Sequence, residues 1–255
     1  MNVQRIITGL IMILKMLLRR RIVLILIAVV PAIFLFGGEI TTPERIIPFR
    51  LASMQEEIFI NISQKGTSIV FLAVACAGFL VSFLALNLIQ KSNDVNHRLI
   101  ICGYHPLELL VSHLLSLMFV ILIIAVYVGI LTTAFYPIKH LLVYIIGIIL
   151  IGLVYGCYGL FVGSLIKGEL EGILLVVLLA NIDAGWLQNP IFFAGATNKL
   201  IIKFLPAYFP SQTAITGAFT DYSALAPTLY SLAYGTGLMF LTMLLFFLSM
   251  KIKKP

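Results

Sequence analysis

The chain has 255 residues, of which 61% are hydrophobic and only 11% charged, and its net charge is +7. A soluble domain carries about 25% charged residues. This chain has too few charges to cover a water-facing surface, which excludes a soluble enzyme, a nucleic-acid-binding domain and a disordered chain. Nor does the positive charge point to nucleic acid, because the basic residues flank apolar runs.

A membrane-crossing helix needs about 20 mostly apolar residues, so the length holds about six spans and no large water-soluble domain. Any energy-coupling domain is expected in another chain. Cys76, Cys102 and Cys157 are far apart and are read as free thiols. No Cys/His cluster points to a metal.

Residues 2–19 come first. On a helical wheel Gln4, Arg5, Thr8, Lys15 and Arg19 share one polar arc, and apolar residues cover most of the rest. A basic stripe on an apolar helix predicts a helix lying in the membrane interface. The alternative, a first crossing, would turn that stripe to lipid. The apolar stretch Ile6–Leu14 has the size of a signal sequence. Lys15 and Arg19–Arg21 follow it without a small-residue cleavage site, so it is expected to be retained.

Span 1 is predicted at 22–37, stopped by Gly37-Gly38 and open to a kink at Pro31. Residues 38–66 read as a polar loop. Span 2 covers 67–89, and a polar connection over 90–106 leads into span 3 at 107–135. Span 4 covers 141–164, a short loop 164–171 follows, and span 5 covers 172–186. Span 6 covers 227–250. The segment 187–226 is too broken by Pro190, Pro206 and Pro210 for a simple span, yet apolar. Irregular backbone at membrane depth survives only when buried in protein or facing water. Two short re-entrant helices hinged near Pro206 are therefore predicted, against the alternative of an external loop.

With the N-terminus inside, eleven of the 17 Lys/Arg fall on the inner side and six on the outer, which predicts both termini in the cytosol. The fold expected is an all-α polytopic membrane protein: one transmembrane domain over 1–255 with an interfacial first helix, six spans and re-entrant helices before the last.

No GxxxxGK[ST], HExxH or GxSxG motif is present. Charges inside the predicted spans are nearly absent: apart from Glu108 at the start of span 3, Asp183 is the one acid within them. It is placed near the outer end of span 5, where it either serves function or caps a helix. Gly152, Gly156, Gly159 and Gly163 line one face of span 4, a groove that admits another helix, from the same subunit or from a second. Tyr127, Tyr155, Tyr158, Tyr230 and Tyr234 either line a path for an amphipathic substrate or anchor at the interface.

An interfacial basic helix, a connection containing Arg98, Gly103, Pro106 and Glu108, and a proline-broken segment before the last span follow one another in this order. The layout resembles the permease subunits of ABC-2 type (type V) ABC exporters across nearly the whole chain, and DAGWLQNP and LPAYFPSQ resemble the outer segment of small bacterial members. The resemblance implies two permeases, a copy or a paralogue, above two ABC ATPase subunits in a bacterial plasma membrane. It implies no cofactor in this chain, with ATP and Mg held by the ATPase. The connection 90–106 resembles the main coupling helix, with Asn93, Asp94, Asn96, His97, Arg98, Gly103, Tyr104, Pro106 and Glu108 at or near the contact. Lys167, Glu169 and Glu171 form a second contact, and the helix bearing Arg5, Lys15 and Arg19 resembles the connecting helix. Asp183, Pro190, Pro206 and Pro210 belong to an outer gate. Amphipathic cargo is expected: a drug, an antimicrobial peptide or a lipid, with antibiotic immunity as the role.

Two rival readings remain. An ion-coupled carrier calls for acids at mid-depth and an inverted repeat, neither of which the sequence offers. A membrane-embedded enzyme calls for a paired nucleophile and base. The only hint is His113 beside Ser112 and Ser116, where neighbours point apart and serines tend to bond backbone.

Overall fold

Helix α1 (Val3–Leu18) buries Ile6, Gly9 and Ile13, three positions on one helical face. A computed structural model describes residues 3–50, 59–189 and 199–252, apart from the side chains at 49, 50, 59, 60, 94, 199, 200 and 249–252. At 16 residues α1 is about 24 Å long, and it is not among the six helices that, among the described residues, are long and apolar enough to cross a membrane.

Helix α2 (Arg21–Thr41) is the first of those six. It does not stop at Gly37-Gly38. The Thr41 hydroxyl bonds back to Gly37 O at 2.7 Å, and Gly38 lies tight against Leu72, where the missing side chain allows close approach. The stretch read as a polar loop holds an antiparallel hairpin, β1 (Ile46–Arg50) with β2 (Phe59–Ser63), in which Ile46 pairs with Ser63.

Helix α3 (Gln64–Ile101) runs 38 residues, about 57 Å, against a hydrocarbon core of about 30 Å. Its last turns therefore extend past the membrane. The polar connection expected over 90–106 is mostly this extension, not a separate coupling helix. The run QKSNDVNHR contains no Gly or Pro, so its polarity marks where the chain leaves lipid and not where the helix ends.

Helices α4 (Pro106–Phe135) and α5 (Leu141–Leu165) follow. Helix α6 (Glu169–Ala180) continues into a π-helix, Asn181–Leu187, and the two make one span that starts three residues before the expected position. Short α7 (Lys199–Lys203) and α8 (Tyr208–Phe219) precede α9 (Leu225–Ile252).

The core is a parallel pair, α3 and α5. A Cβ on Gly156 would meet Leu117 and Val81, one on Gly159 would meet Ser82 and Ala85, and one on Gly163 would meet Ile89 and Leu86. Gly152 faces Ile121 of α4. The glycine face of span 4 thus takes helices of its own subunit. Helix α8 is buried nearly throughout, and Gly147 and Gly217 bring its backbone onto α5 at Ala214 and Tyr144.

Candidate functional site

The end of the bundle that carries α1 is organised around the α3–α4 turn. Gly103 adopts φ +89°, a left-handed conformation that favours glycine. It lets Gly103 N–H bond Ile100 O and Tyr104 N–H bond Leu99 O, both at 3.0 Å, which closes α3 with the paired bonds of a Schellman motif. Helix α4 then opens with a reciprocal cap. His105 N–H donates to Glu108 Oε2 at 3.2 Å, Leu107 N–H donates to His105 Nδ1 at 3.3 Å, and Pro106 occupies the first turn, where its missing N–H costs nothing.

Arg5 of α1 clamps this turn. Its Nη1 donates to Gly103 O at 2.6 Å and lies 3.8 Å from Glu108 Oε2, while its guanidinium carbon sits 5.0 Å from the centre of the Tyr104 ring. One turn further, Gly9 lets α1 close on Ser112, whose hydroxyl bonds Ile6 O at 3.0 Å. The first helix and the turn therefore form one body. The second loop is fastened to the same body: Gln90 Nε2 donates to Ile166 O at 3.1 Å and Gly168 O at 3.3 Å, and Lys91 lies 3.7 Å from Glu169.

A second constellation lies inside the bundle. Asp183 is fully buried. Tyr155 Oη donates to Asp183 Oδ2 at 2.6 Å, Ala207 N–H donates to the same oxygen at 2.8 Å, and Gln188 Nε2 donates to Oδ1 at 3.0 Å. Ala207 is the residue that opens α8. Asp183 thus joins the middle of α5, the π-helix and the start of the returning helix. It lies in the last turns of the fifth span, as expected, and is enclosed there by protein. The start of α8 meets it there through the Ala207 N–H. Tyr155 is the fifteenth of the 25 residues of α5, so the carboxylate lies within the span and has protein donors around it.

A family model described as ABC-2 family transporter protein matches residues 39–250, most of the chain. The chain belongs to the ABC-2 transporter family. Among curated proteins no match is found. It is therefore a multi-pass membrane permease of the ABC transporter class, a transport subunit and not an enzyme, of a family that associates with ABC ATPase subunits.

In this ABC-2 permease the residues expected at the ATPase contact divide. Arg98 is exposed and Asn93 and His97 are half-buried, and none of the three has a side-chain partner among the described residues. Asn96 is buried against the bundle and its Nδ2 has no hydrogen-bond partner there. Asp94 belongs to α3 by its backbone, and its side chain lies outside the described residues. Gly103, Tyr104 and Glu108 face Arg5 and hold the turn together. Lys167 and Glu171 flank the second loop, with Glu169 at Lys91. Lys15 and Arg19 point away from the turn, onto a groove beside Ser92 and Val95. At the opposite end Pro206 and Pro210 are buried, around the bend into α8 and in its first turn, while Pro190 lies outside the described residues.

Several contributors were missed in the sequence. Ile101 is 78% exposed at the tip, an apolar residue beside His97 and Arg98 that reads as part of the apolar stretch LIIC. Gln90 looks like loop polarity until its two carbonyl partners are seen. The hint of a nucleophile and base dissolves: Ser116 bonds Ser112 O at 2.7 Å, Ser112 bonds Glu108 O at 2.8 Å, and His113 Nδ1 lies 2.7 Å from Leu109 O.

Proposed function

We propose that the chain is the permease half of an ATP-driven exporter that moves amphipathic cargo outward, powered by a separate ABC ATPase that holds ATP and Mg. The observation that carries this reading is the Arg5 clamp. It makes α1, the α3–α4 turn and, through Gln90, the α5–α6 loop a single body at one end of the bundle. A rigid tip that presents Ile101, His97 and Arg98 is what a helix-capturing cleft needs in order to push a membrane domain. Displacement of the tip travels along α3 to α5, its glycine-packed partner, and through Tyr155 to Asp183 and the start of α8.

In this reading the tip and both termini face the cytosol, and α8 lies toward the outside as part of a gate. Two permeases, identical or paralogous, enclose the path in a bacterial plasma membrane. Drugs, antimicrobial peptides and lipids are the cargo class that an apolar path suits. Ion-coupled transport keeps one supporting observation, an acid inside the span. That acid already accepts three protein hydrogen bonds, which leaves it better suited to holding α8 than to cycling protons.

The test is affinity purification of the full chain from its native membranes. An ABC ATPase is expected to co-purify with the wild type and to be lost with Arg98→Glu combined with Ile101→Asp. Retention of the ATPase by that variant contradicts the docking assignment.

A further inference from the structure

The break between α1 and α2 places three consecutive arginines, Arg19, Arg20 and Arg21, on the rim of a groove of about 640 Å³. None of the three has a side-chain hydrogen bond or ion pair among the described residues. Lys91 and Glu169 stand on the same rim and neutralise one another at 3.7 Å, so the arginines remain as net positive charge. Helix α2 begins here with no side-chain cap and no acidic residue in its first turn, so its positive end is also uncompensated.

Below the rim the groove is lined mostly by apolar side chains, with the polar Asn87 of α3 toward the rim, one turn before Lys91. Val23 and Leu26 of α2 form one wall, and Phe83, Leu84 and Leu88 of α3 form the other. Leu26 lies five residues beyond Arg21, about 7–8 Å deeper along the helix. The groove is open on the side of α2, where Ile22 is 74% exposed and Leu26 is 42% exposed.

We propose that this groove is a binding site for one anionic phospholipid of the surrounding leaflet. The phosphate sits among Arg19, Arg20, Arg21 and the first turn of α2, and one acyl chain lies between Leu26 and Phe83. The chemistry is complementary on both counts: unpaired cations at headgroup depth and an apolar trough leading from them into the hydrocarbon. A soluble phosphate satisfies only the rim, and an acidic protein partner satisfies only the charge. The assignment does not depend on the direction of transport, because the start of a spanning helix lies at headgroup depth on either face of the membrane. A lipid wedged at this elbow also braces α1, the helix that clamps the α3–α4 turn.

Native mass spectrometry of the full chain, released from nanodiscs of mixed phosphatidylglycerol and phosphatidylcholine, tests the site. One phosphatidylglycerol is expected to stay bound to each chain, in preference to phosphatidylcholine. An arginine near an anionic surface contributes about fivefold in affinity. Replacing all three with glutamine should therefore lower retention on the order of a hundredfold. Leu26→Trp, which fills the trough and keeps the arginines, should also lose the lipid and covers the case in which the triple variant inserts poorly. Lys139→Gln, at the other end, should retain it. Equal retention of phosphatidylcholine, unchanged retention in the Leu26→Trp protein, or displacement of the lipid by inorganic phosphate alone overturns the proposal.

Discussion

Tyr155 and Asp183 meet across 2.6 Å inside the bundle, one on the central helix α5 and the other on the π turn that ends the fifth span. The carboxylate also holds Gln188 and the first N–H of α8. Leaving a buried donor without an acceptor costs about 1–3 kcal/mol, and Asp183→Ala abandons three donors at once. Thermal unfolding in detergent is expected to show a loss of about 3 kcal/mol or more for Asp183→Ala. Tyr155→Phe removes one bond and should cost about 1–2 kcal/mol. Equal effects of the two substitutions would mean that Asp183 does not organise α8.

Close helix approach depends on individual glycines. A Cβ on Gly159 would run into the Ser82 carbonyl oxygen and Ala85, and one on Gly147 would meet the Ala214 backbone at 2.6 Å. A Cβ on Gly37 meets nothing within 4 Å. Overpacking typically costs about 1–3 kcal/mol. Gly159→Ala and Gly147→Ala should therefore lower the unfolding temperature markedly, while Gly37→Ala leaves it near wild type.

At the turn, Gly103→Ala forces an L side chain into the left-handed region at a cost of about 1 kcal/mol or more. The space around Gly103 is open, so strain and not collision is the cause. Arg5→Ala removes the clamp from the other side. Both variants should insert normally, and under the proposed function they should show a weaker response of the ATPase to reconstituted permease; Arg5→Lys should restore it only in part, since Lys cannot repeat the planar stacking on Tyr104. An undiminished ATPase response in Arg5→Ala would separate the clamp from coupling.

At the end opposite α1, Asp221 ties the α8–α9 link to the α4–α5 turn through an ion pair with Lys139 and a 2.9 Å contact with His140 Nε2. The Lys139 hydrogen bond, then that of His140, holds the Asp221 carboxyl below its usual 3.8. Because the folded value is depressed, the tether is present at neutral pH and is lost as pH falls below about 3.8 through the folded value. Protease cleavage within the 220–224 link should rise over that range. Asp221→Asn should show the faster cleavage already at neutral pH and little further change on acidification.

Much of this fold is legible in the residues. Long apolar runs mark the six spans, because lipid demands them irrespective of tertiary structure. The basic arc of α1 and the prolines of 187–226 each carry a local physical meaning. What escapes is whatever depends on a partner distant in sequence. The end of α3 was missed because Gln90–Arg98 is polar and still helix-forming, so leaving the membrane and ending the helix are separate events. The enclosure of Asp183 escapes the sequence because the start of α8 completes it, and nothing near residue 183 names Tyr155 or Ala207. The basic stripe of α1 names Arg5 but not its partner, since its guanidinium finds Gly103, 98 residues away.

The central claim, that the α3–α4 turn faces the cytosol and is gripped there by an ATPase, meets its most direct test at Cys102. This thiol is exposed at the turn, and Cys76 and Cys157 are buried. A membrane-impermeant maleimide carrying a photocrosslinker should label Cys102 in inverted membrane vesicles and not in intact cells, and illumination should join the chain to an ABC ATPase. Labelling from outside intact cells, or cytosolic labelling that captures no ATPase, contradicts the account.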